Sequence, residues 1–350
     1  MTKPSTLELP PGAELLYLAE GGANIVYRIV MPRSSSQEHY AAGVHPVHPV
    51  HPPPTTIGDA CLPPQLQGKL LRLRKDTNAG IPYQDTARNF DMVIRPLFNQ
   101  AELVDQTLVR LPKGLVQRCN EQLRADELRG IRPKKRHGVY LSTAEPFGLL
   151  VTDMTTYHSP GMCLAELKPK WLLQSPSAPP NSKRCRTCAL REMKNHDARQ
   201  VGAKEERSFC PLDLVSDRFE DVARAARFIQ GCKDKARLAR LLYRNSTLLK
   251  LHAHQKVRRE VGLHGEPAQS REMSIAMTLR DCTMFIKVPH HESQPVEIRL
   301  GDLDLKTAAG GKAQYWLDIE NRLISEGWYS GDRKGQEHSE CALQGHRRAS

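Results

Sequence analysis

The stretch ELLYLAEGGANIVYRIV, residues 14–30, places a Gly-Gly-Ala-Asn turn between two runs of strand-forming residues. Apolar side chains on both sides of the turn, among them Leu15 and Ile25, predict a strand, a turn and a second strand. A glycine pair lets backbone N–H groups approach phosphate oxygens, because no Cβ stands in the way, and Asn24 tolerates a left-handed backbone. An ordinary hairpin turn also explains this stretch. When the stretch is taken alone, the hairpin is the commoner explanation.

The residues that surround this hairpin predict a mostly β lobe. Further strands are expected in GKLLRLRK (68–75), FDMVIRPLF (90–98), ELVDQTLVRL (102–111), GVYLS (138–142) and FGLLVTDM (147–154). Residues 33–64 are rich in Ser, His and Pro, a composition that predicts a disordered insertion. We therefore expect residues 1–154 to form an N-terminal lobe with a mostly antiparallel sheet.

The second half of the chain alternates strand and helix patterns. Strands are expected in AELKPKW (165–171), MTLRDCTMFIKV (277–288) and VEIRLGDLDLK (296–306), and amphipathic helices in DRFEDVARAARFIQGC (217–232), KARLARLLYR (235–244) and AQYWLDIENRLISEGW (313–328). We expect a larger α+β lobe over residues 155–330 and a flexible polar tail over 331–350. A β lobe followed by an α+β lobe is the layout of a two-lobed kinase that binds ATP in the cleft between the lobes.

Composition restricts the class of partner. The 350 residues carry a formal net charge of +12, which favours an anionic partner such as a polyphosphate or a nucleic acid. An aromatic content of 5% argues against a stacking surface for single-stranded nucleic acid. No stretch has the roughly 20 apolar residues of a membrane span, and the N-terminal residues lack the apolar run of a secretory signal. We expect a reducing compartment, in which the nine cysteines are thiols or metal ligands.

Charged residues recur on the strands predicted for the second half. In ELKPK, Lys168 and Lys170 would lie on the same face of an extended segment and repel each other unless an anion sits between them. A solvated strand edge is the alternative explanation. Asp281 is a carboxylate within a strand pattern that otherwise looks buried, and buried carboxylates need a partner or a function.

The segment DLDLK also carries charged residues on a predicted strand. Asp302, Asp304 and Lys306 would share one strand face, where a carboxylate can coordinate Mg²⁺ and a lysine can contact phosphate. A polar strand face explains this element equally well when it is taken alone. A glycine-rich hairpin, a basic strand and two acidic strands in this order together favour a phosphate-transfer site.

Two cysteines form a C-x2-C pair, Cys185 and Cys188, with His196 and Cys210 downstream as candidates for a third and fourth zinc ligand. The second half of this pattern lacks the tight spacing of established zinc motifs. We expect packed thiols here, and zinc is the alternative.

Several motifs in sequence order resemble the inositol pentakisphosphate 2-kinase family: AEGGANIVYRI, LRLRK, ELKPKW, RCRTCALREMK, CPLDL, MTLRDCTMFIK and GDLDLK. The resemblance runs from about residue 14 to residue 329 and leaves out the 33–64 stretch. It implies a kinase that uses ATP and Mg²⁺ to phosphorylate the 2-hydroxyl of inositol 1,3,4,5,6-pentakisphosphate, giving phytate.

The resemblance also implies roles for residues in the first half. AEGGAN resembles the family's glycine-rich loop, which places Gly21, Gly22, Ala23 and Asn24 over the ATP phosphates. Arg72 resembles a phosphate-contacting arginine, and Arg136, in RPKKR, a substrate-binding arginine. LLVTDM resembles the hinge that contacts adenine; because Thr152 stands where the family pattern has Asn, Asp153 is the candidate contact.

In the second half, the resemblance implies that Asp281 is the catalytic base and that Asp302 binds Mg²⁺, with Asp304 as a possible further ligand. Lys168 is implied in catalysis as well as in substrate binding. The remaining implied substrate-binding residues are Lys170, Lys194, Lys306, Lys312 and Tyr315.

Two alternatives remain open from the sequence. The chain could phosphorylate another inositol phosphate, or it could be a basic scaffold that binds zinc and nucleic acid. The kinase interpretation implies a small-molecule substrate, a monomer and no membrane or nucleic-acid partner. The basic segment RPKKRH (132–137) and the absence of a secretory signal predict a location in the nucleus, the cytoplasm or both.

Overall fold

The computed structural model describes residues 7–31, 62–77, 81–157, 159, 161–264, 270–307, 311–332 and 339–344. The fold is mixed α+β, as predicted. The chain divides into two compact units, the first comprising Met1–Ala87 with Asp105–Asp153 and the second Arg88–Val104 with Met154–Ser350. The insertion expected at 33–64 lies outside the described residues except for 62–64. None of the described helices is both long and apolar enough to cross a bilayer.

The first unit is built on a six-stranded sheet with the order β1-β5-β6-β4-β3-β2. Its strands are β1 Leu7–Glu8, β2 Glu14–Glu20, β3 Asn24–Val30, β4 Lys69–Arg74, β5 Gln106–Arg110 and β6 Phe147–Thr152. Neighbouring strands are antiparallel except for β1 and β5, which are parallel. The sheet expected for this half of the chain is therefore present.

The hairpin around the Gly-Gly-Ala-Asn turn is formed by β2 and β3. Every second residue of β3 faces the core, so Ile25, Tyr27 and Ile29 are buried with the apolar side chains of β4. Helix α2, Leu115–Leu128, packs against this core, with Leu115 and Leu123 almost completely buried. The sequence analysis missed this helix.

Two strands predicted for the first half are wrong. The segment FDMVIRPLF forms a π-helical turn, Phe90–Ile94, and a 3-10 turn, Arg95–Leu97. Its buried residues are Phe90, Val93, Ile94 and Phe98, and this spacing of three and four residues is helical rather than alternating. In GVYLS only Leu141 pairs with another strand, through an isolated bridge to Lys75.

The second unit contains the three-stranded antiparallel sheet β7-β8-β9, formed by Met162–Leu167, Thr283–Pro289 and Glu297–Gly301. Its helices are α3 Arg186–Gln200, α4 Phe219–Ala226, α5 Lys235–Leu242, α6 Ser246–Val257, α7 Arg271–Leu279 and α8 Lys312–Ser325. A further short helix, α1 Tyr83–Asn89, begins in the first unit and ends in the second. The three helices predicted for this half correspond to α4, α5 and α8. The largest core of the unit lies between β7–β9 and helices α4–α6.

The three strands that carry the charged motifs are shorter than predicted. β7 ends at Leu167, before both lysines of ELKPK, and β9 ends at Gly301, before DLDLK. The start of MTLRDC belongs to α7, so Asp281 lies in the turn between α7 and β8. The prediction that these residues share strand faces is therefore wrong, and they lie instead at strand ends.

Candidate active site

The sheet register explains how the charged motifs meet in the second unit. The end of β7 pairs with the start of β8, where Leu167 faces Met284, and the start of β8 pairs with the end of β9, where Thr283 faces Gly301. The residues that follow β7, precede β8 and follow β9 therefore emerge at one edge of the sheet. Five of the predicted residues lie there: Lys168, Lys170, Asp281, Asp302 and Lys306. We call them the charge cluster.

The two carboxylates of the charge cluster share Lys168 and Lys306, and Asp281 also pairs with Lys170. Lys168 Nζ lies 2.9 Å from Asp302 Oδ2 and 3.5 Å from Asp281 Oδ1, and Lys170 Nζ lies 2.8 Å from Asp281 Oδ1. Lys306 Nζ lies 3.6 Å from a carboxylate oxygen of each aspartate. The side chains of the two aspartates are about 40% exposed (41% and 42%), so both are accessible to a solute.

Two members of the charge cluster have a backbone conformation that L-residues rarely adopt. Lys170 has φ +58° and Asp302 has φ +55°. A left-handed backbone costs a non-glycine residue about 1–2 kcal/mol, and such strain concentrates at functional sites. Neither residue is the glycine that the backbone alone would favour, which indicates that the side chains are needed there.

The charge cluster favours ionised side chains. Burial by itself would raise the pKa of Asp281, but the hydrogen bond from Lys170 and the charges of Lys306 and Lys168 outweigh it, so the net pKa is lowered. Burial would also lower the pKa of Lys168, but Asp302 and Asp281 raise it overall. Asp281 is therefore a carboxylate and Lys168 an ammonium at neutral pH.

A cavity of about 310 Å³ opens beside the charge cluster. Three members of the cluster, Lys170, Asp281 and Lys306, also line this cavity. Helices α3 and α8 form further walls. Of the residues predicted to bind substrate, Lys194 of α3 and Tyr315 of α8 line the cavity. Lys312 is the first residue of α8, one turn before Tyr315, and is not among the lining residues.

Three arginines that the sequence analysis did not single out also line this cavity: Arg186, Arg191 and Arg280. Arg186 and Arg280 stack on the ring of Trp171, at 4.7 and 4.0 Å from its centroid. Arg191 and Lys194 are three residues apart on α3, a spacing that puts both positive charges on one helix face. That spacing within RCRTCALREMK was the available signal.

The two stacked arginines keep their charge inside the fold. The buried carboxylate of Glu320, 0% exposed, accepts a hydrogen bond of 2.7 Å from Arg186 Nε. Burial and the neighbouring charge of Arg186 lower the pKa of Arg280 to about 10, which still leaves it protonated at neutral pH. The cavity thus presents several fixed positive charges, an arrangement suited to a ligand with several phosphates.

In the first unit, the glycine-rich turn is an exposed hairpin loop. Gly21, Gly22 and Ala23 are exposed between β2 and β3, and the amide of Gly21 donates to the carbonyl of Asn24 at 2.9 Å. The Asn24 side chain accepts a hydrogen bond of 3.0 Å from the Tyr83 hydroxyl. A Cβ on Gly22 would meet no atom within 4 Å, and neither glycine has positive φ. The hairpin itself therefore does not require glycine at these positions.

A buried ion-pair network lies beside this loop, and the sequence analysis missed it. Glu20, the last residue of β2, pairs with Lys75 and with Arg132, whose side chains are all 1% exposed. Lys75 Nζ also donates to the carbonyl of Gly21 at 2.9 Å. Burial would raise the pKa of Glu20, but the hydrogen bonds from Arg132 and Lys75 lower it to about 2. These charges fix the base of the loop. Their separation along the chain left no local signal.

The other predicted residues of the first unit have the following positions. Arg72 is 9% exposed in β4, donates to Gln106 Oε1 at 3.3 Å and stacks on Tyr83. Asp153 follows β6 and donates its backbone amide to Gly68 at 2.9 Å. Arg136 ends a 3-10 turn, Lys134–Arg136, and is partly exposed.

The cysteines of the second unit form a buried group that only partly matches the prediction. Cys185, Cys188 and Cys210 come together as the C-x2-C pattern suggested, and the fourth member is Cys341 rather than His196. His196 lies against Trp328 instead, with ring centroids 5.3 Å apart. Cys341 is 0% exposed, within the segment expected to be a flexible tail.

The comparisons with known proteins agree with the motifs. The sequence model of the inositol-pentakisphosphate 2-kinase family matches residues 17–237 and 238–322. The chain belongs to this family. The resemblance inferred from the motifs is thereby confirmed, and with it the enzyme class, since members of this family are phosphotransferases.

Two similar proteins carry the family's name. The inositol-pentakisphosphate 2-kinase of Yarrowia lipolytica is 29% identical over 281 residues, which cover 74% of this chain and 85% of the relative. The inositol-pentakisphosphate 2-kinase of Debaryomyces hansenii is 26% identical over 208 residues, which cover 46% of this chain and 49% of the relative.

Proposed function

We propose that this chain transfers the γ-phosphoryl group of ATP to the 2-hydroxyl of inositol 1,3,4,5,6-pentakisphosphate, giving inositol hexakisphosphate. The observation that carries the proposal is the charge cluster: two carboxylates and three lysines from three distant segments meet beside a basic cavity. Membership of the inositol-pentakisphosphate 2-kinase family supports the substrate class.

The cavity residues suit a substrate that carries five phosphates. Lys170, Lys194 and Lys306 supply ammonium groups, whereas the guanidinium groups of Arg186 and Arg280 stack on Trp171. Fixed guanidinium groups give directed hydrogen bonds to phosphate, and lysines adapt as point charges. We infer that the arginines set the orientation of the inositol ring and that the lysines neutralise its phosphates.

Asp281 is the group best placed to accept the proton of the attacking hydroxyl. Its carboxylate lines the cavity and its pKa is lowered, so it is available in the basic form. Lys168 lies within reach of both aspartates and, in this proposal, stabilises the negative charge on the oxygens of the transferring phosphoryl group. No covalent enzyme intermediate is required.

Asp302 fits the role of a Mg²⁺ ligand. Its carboxylate offers two hard oxygen donors, is 42% exposed, and is presented by a strained backbone at the edge of the sheet. Asp304, two residues further, is the candidate for a second ligand. Mg²⁺ bound there would offset charge on the ATP phosphates. Lys168 and Lys306, which contact Asp302, would then be free to turn toward phosphate oxygens.

For ATP, the proposal relies on the hairpin loop of the first unit. Gly21 and Gly22 have ordinary backbone angles and open surroundings, so the fold alone does not explain why both lack a side chain. A ligand that approaches the backbone closely does explain it, and phosphate is such a ligand. Arg72 and Asp153 remain candidates for phosphate and adenine contacts in the same unit.

Replacing Gly22 with Val tests this use of the loop. Because the added side chain meets open space, the free energy of unfolding should change by no more than about 0.5 kcal/mol. The KM for ATP should rise about tenfold or more, since the side chain would occupy the space of the phosphates. Gly12→Val is the matched control, because a Cβ there meets only Met31, at 3.8 Å. Equal KM values for ATP in the two variants would contradict a contact between this loop and the ATP phosphates.

Product analysis tests the function as a whole. The purified chain is incubated with ATP, Mg²⁺ and, separately, a panel of inositol phosphates, and the products are separated by anion-exchange chromatography. We expect inositol hexakisphosphate from the 1,3,4,5,6-pentakisphosphate, with a higher kcat/KM than for any other member of the panel. A preference for another inositol phosphate would support kinase activity but would assign the chain a different substrate. Salt-sensitive nucleic-acid binding without any phosphorylated product would favour the scaffold alternative.

A further inference from the structure

The carboxylate of Glu320 on α8 is the centre of a buried hydrogen-bond network to which the proposed reaction gives no role. Glu320 is 0% exposed, and a glutamate is almost never fully buried without a partner. Its Oε2 accepts a hydrogen bond of 2.7 Å from Arg186 Nε. Its Oε1 accepts hydrogen bonds from the hydroxyls of Ser175, at 2.8 Å, and Tyr329, at 2.7 Å. The donors come from separate segments, so the fold and not a local motif builds this network.

The two hydroxyls fix the orientation of the Glu320 carboxylate. Burial raises the pKa of Tyr329, and the charge of Glu320 raises it further, so this hydroxyl stays protonated and remains a donor. With Oε1 occupied by two neutral donors, Oε2 faces Arg186, a cation that compensates the buried negative charge. Glu320 therefore holds Arg186 by its charge as well as by a hydrogen bond.

Arg186 has donors that the fold leaves without an acceptor. Its Nε–H donates to Glu320, and its guanidinium stacks on the ring of Trp171 at 4.7 Å from the centroid. Its Nη1 and Nη2 groups make no hydrogen bond to any residue in the part of the chain that the structure describes. Because Arg186 lines the cavity, these groups are available to a ligand there. A guanidinium held at one edge and on one face presents them in a fixed direction.

Arg280, the other arginine stacked on Trp171, differs in this respect. Its Nη1 donates to the carbonyl of Val261 at 2.7 Å, and its Nη2 donates to the carbonyl of Arg258 at 2.9 Å. The backbone therefore satisfies the end of this guanidinium, which lies 4.0 Å from the centroid of the Trp171 ring. Arg280 thus contributes charge and supports the tryptophan, whereas Arg186 keeps both Nη groups for a ligand.

We propose that Glu320 is a positioning residue that directs Arg186 toward one phosphate of the inositol phosphate, and that this pair makes the site select for that phosphate. This role rests on the proposed function for the identity of the ligand. Two parallel N–H groups of a guanidinium match two oxygens of one phosphate. A site with such donors discriminates against an analogue that lacks the phosphate, because the donors are then left unpaired. Without the charge of Glu320, Arg186 remains a cation but loses its fixed direction.

Binding to a panel of inositol phosphates tests this role. The panel holds inositol 1,3,4,5,6-pentakisphosphate and the tetrakisphosphates that each lack one of its phosphates, and Kd is measured by isothermal titration calorimetry. Glu320→Gln keeps the shape of the side chain but removes the charge that holds Arg186. We expect Kd for the pentakisphosphate to rise about tenfold. Kd should change by less than about twofold for the tetrakisphosphate that lacks the phosphate bound by Arg186, because that interaction is already absent.

Tyr329→Phe is the matched control, because it removes another donor to the same buried carboxylate. It leaves Ser175 on Oε1 and Arg186 on Oε2, so every Kd should stay within about threefold of the wild type. If Glu320→Gln does not fold, Arg186→Lys tests the same contact, since it keeps the positive charge and removes the paired N–H groups. It should weaken binding of the pentakisphosphate and spare the same tetrakisphosphate.

Two results would overturn the role of Glu320. One is a Kd for the pentakisphosphate in Glu320→Gln equal to that in Tyr329→Phe. The other is an equal loss of affinity for every compound of the panel, which a general structural defect would produce. With ATP and Mg²⁺, Glu320→Gln should raise KM for the pentakisphosphate about tenfold, with kcat within about threefold of the wild type. A wild type that shows the phosphate-selective binding but forms no inositol hexakisphosphate would refute the proposed function and leave the role of Glu320 intact.

Discussion

Replacing Asp281 with Asn is expected to lower kcat for inositol pentakisphosphate phosphorylation by a factor of about 10²–10⁴, the usual contribution of a general base. Asn has nearly the same shape and still accepts a hydrogen bond from Lys170, but it cannot take the proton of the hydroxyl. Because the Asp281 side chain is 41% exposed, its ion pairs contribute little to folding. The melting temperature should therefore remain close to that of the wild type.

The measurement is steady-state kinetics with separate titrations of ATP and inositol pentakisphosphate. KM for both substrates should stay within about threefold of the wild type, since only the transition state loses an interaction. Asp318→Asn is the matched control, an exposed aspartate on α8 that accepts a hydrogen bond from Gln314. A kcat for Asp281→Asn equal to that of this control would exclude Asp281 as the base.

Replacing Asp302 with Asn is expected to lower kcat by about 10²–10³ at a fixed Mg²⁺ concentration, since one charged metal ligand is lost. Asn is the informative replacement, because it tolerates the left-handed backbone that Asp302 adopts. Any loss of activity then reports on the charge of the side chain and not on backbone strain. The free energy of unfolding should change little.

A titration with Mg²⁺ separates the two aspartates. The activity of Asp302→Asn should recover in part as Mg²⁺ is raised, because a weakened site fills at higher concentration. Asp281→Asn should show no such recovery, since its defect lies in proton transfer. The same Mg²⁺ dependence in the wild type and in Asp302→Asn would contradict the metal-binding role of Asp302.

Local sequence patterns were sufficient for much of the sheet and for the residue types of the candidate site. Alternating apolar residues on either side of the Gly-Gly turn correctly predicted the β2–β3 hairpin. The spacing of three and four residues correctly predicted α4, α5 and α8. These patterns succeed because strand and helix periodicity is set by neighbours within one or two turns of backbone.

Where the local patterns failed, long-range packing decided the conformation. The alternation in DLDLK suggested a continuing strand, but Asp302 turns the backbone at φ +55° and ends it. The contacts that accompany this turn come from far away in sequence, since Lys168 is 134 residues from Asp302. No window of neighbouring residues contains such information.

The Gly-Gly-Ala-Asn turn and the order of the charged motifs were set by the sequence itself, and they were enough to indicate the family and the chemical types of the candidate site. Only the tertiary structure decided that Lys168, Lys170, Asp281, Asp302 and Lys306 meet at one sheet edge. It also decided that Cys341 joins three distant cysteines. The physical reason is that residue type and periodicity are local properties, whereas the meeting of side chains depends on strand register and on the packing of the whole core.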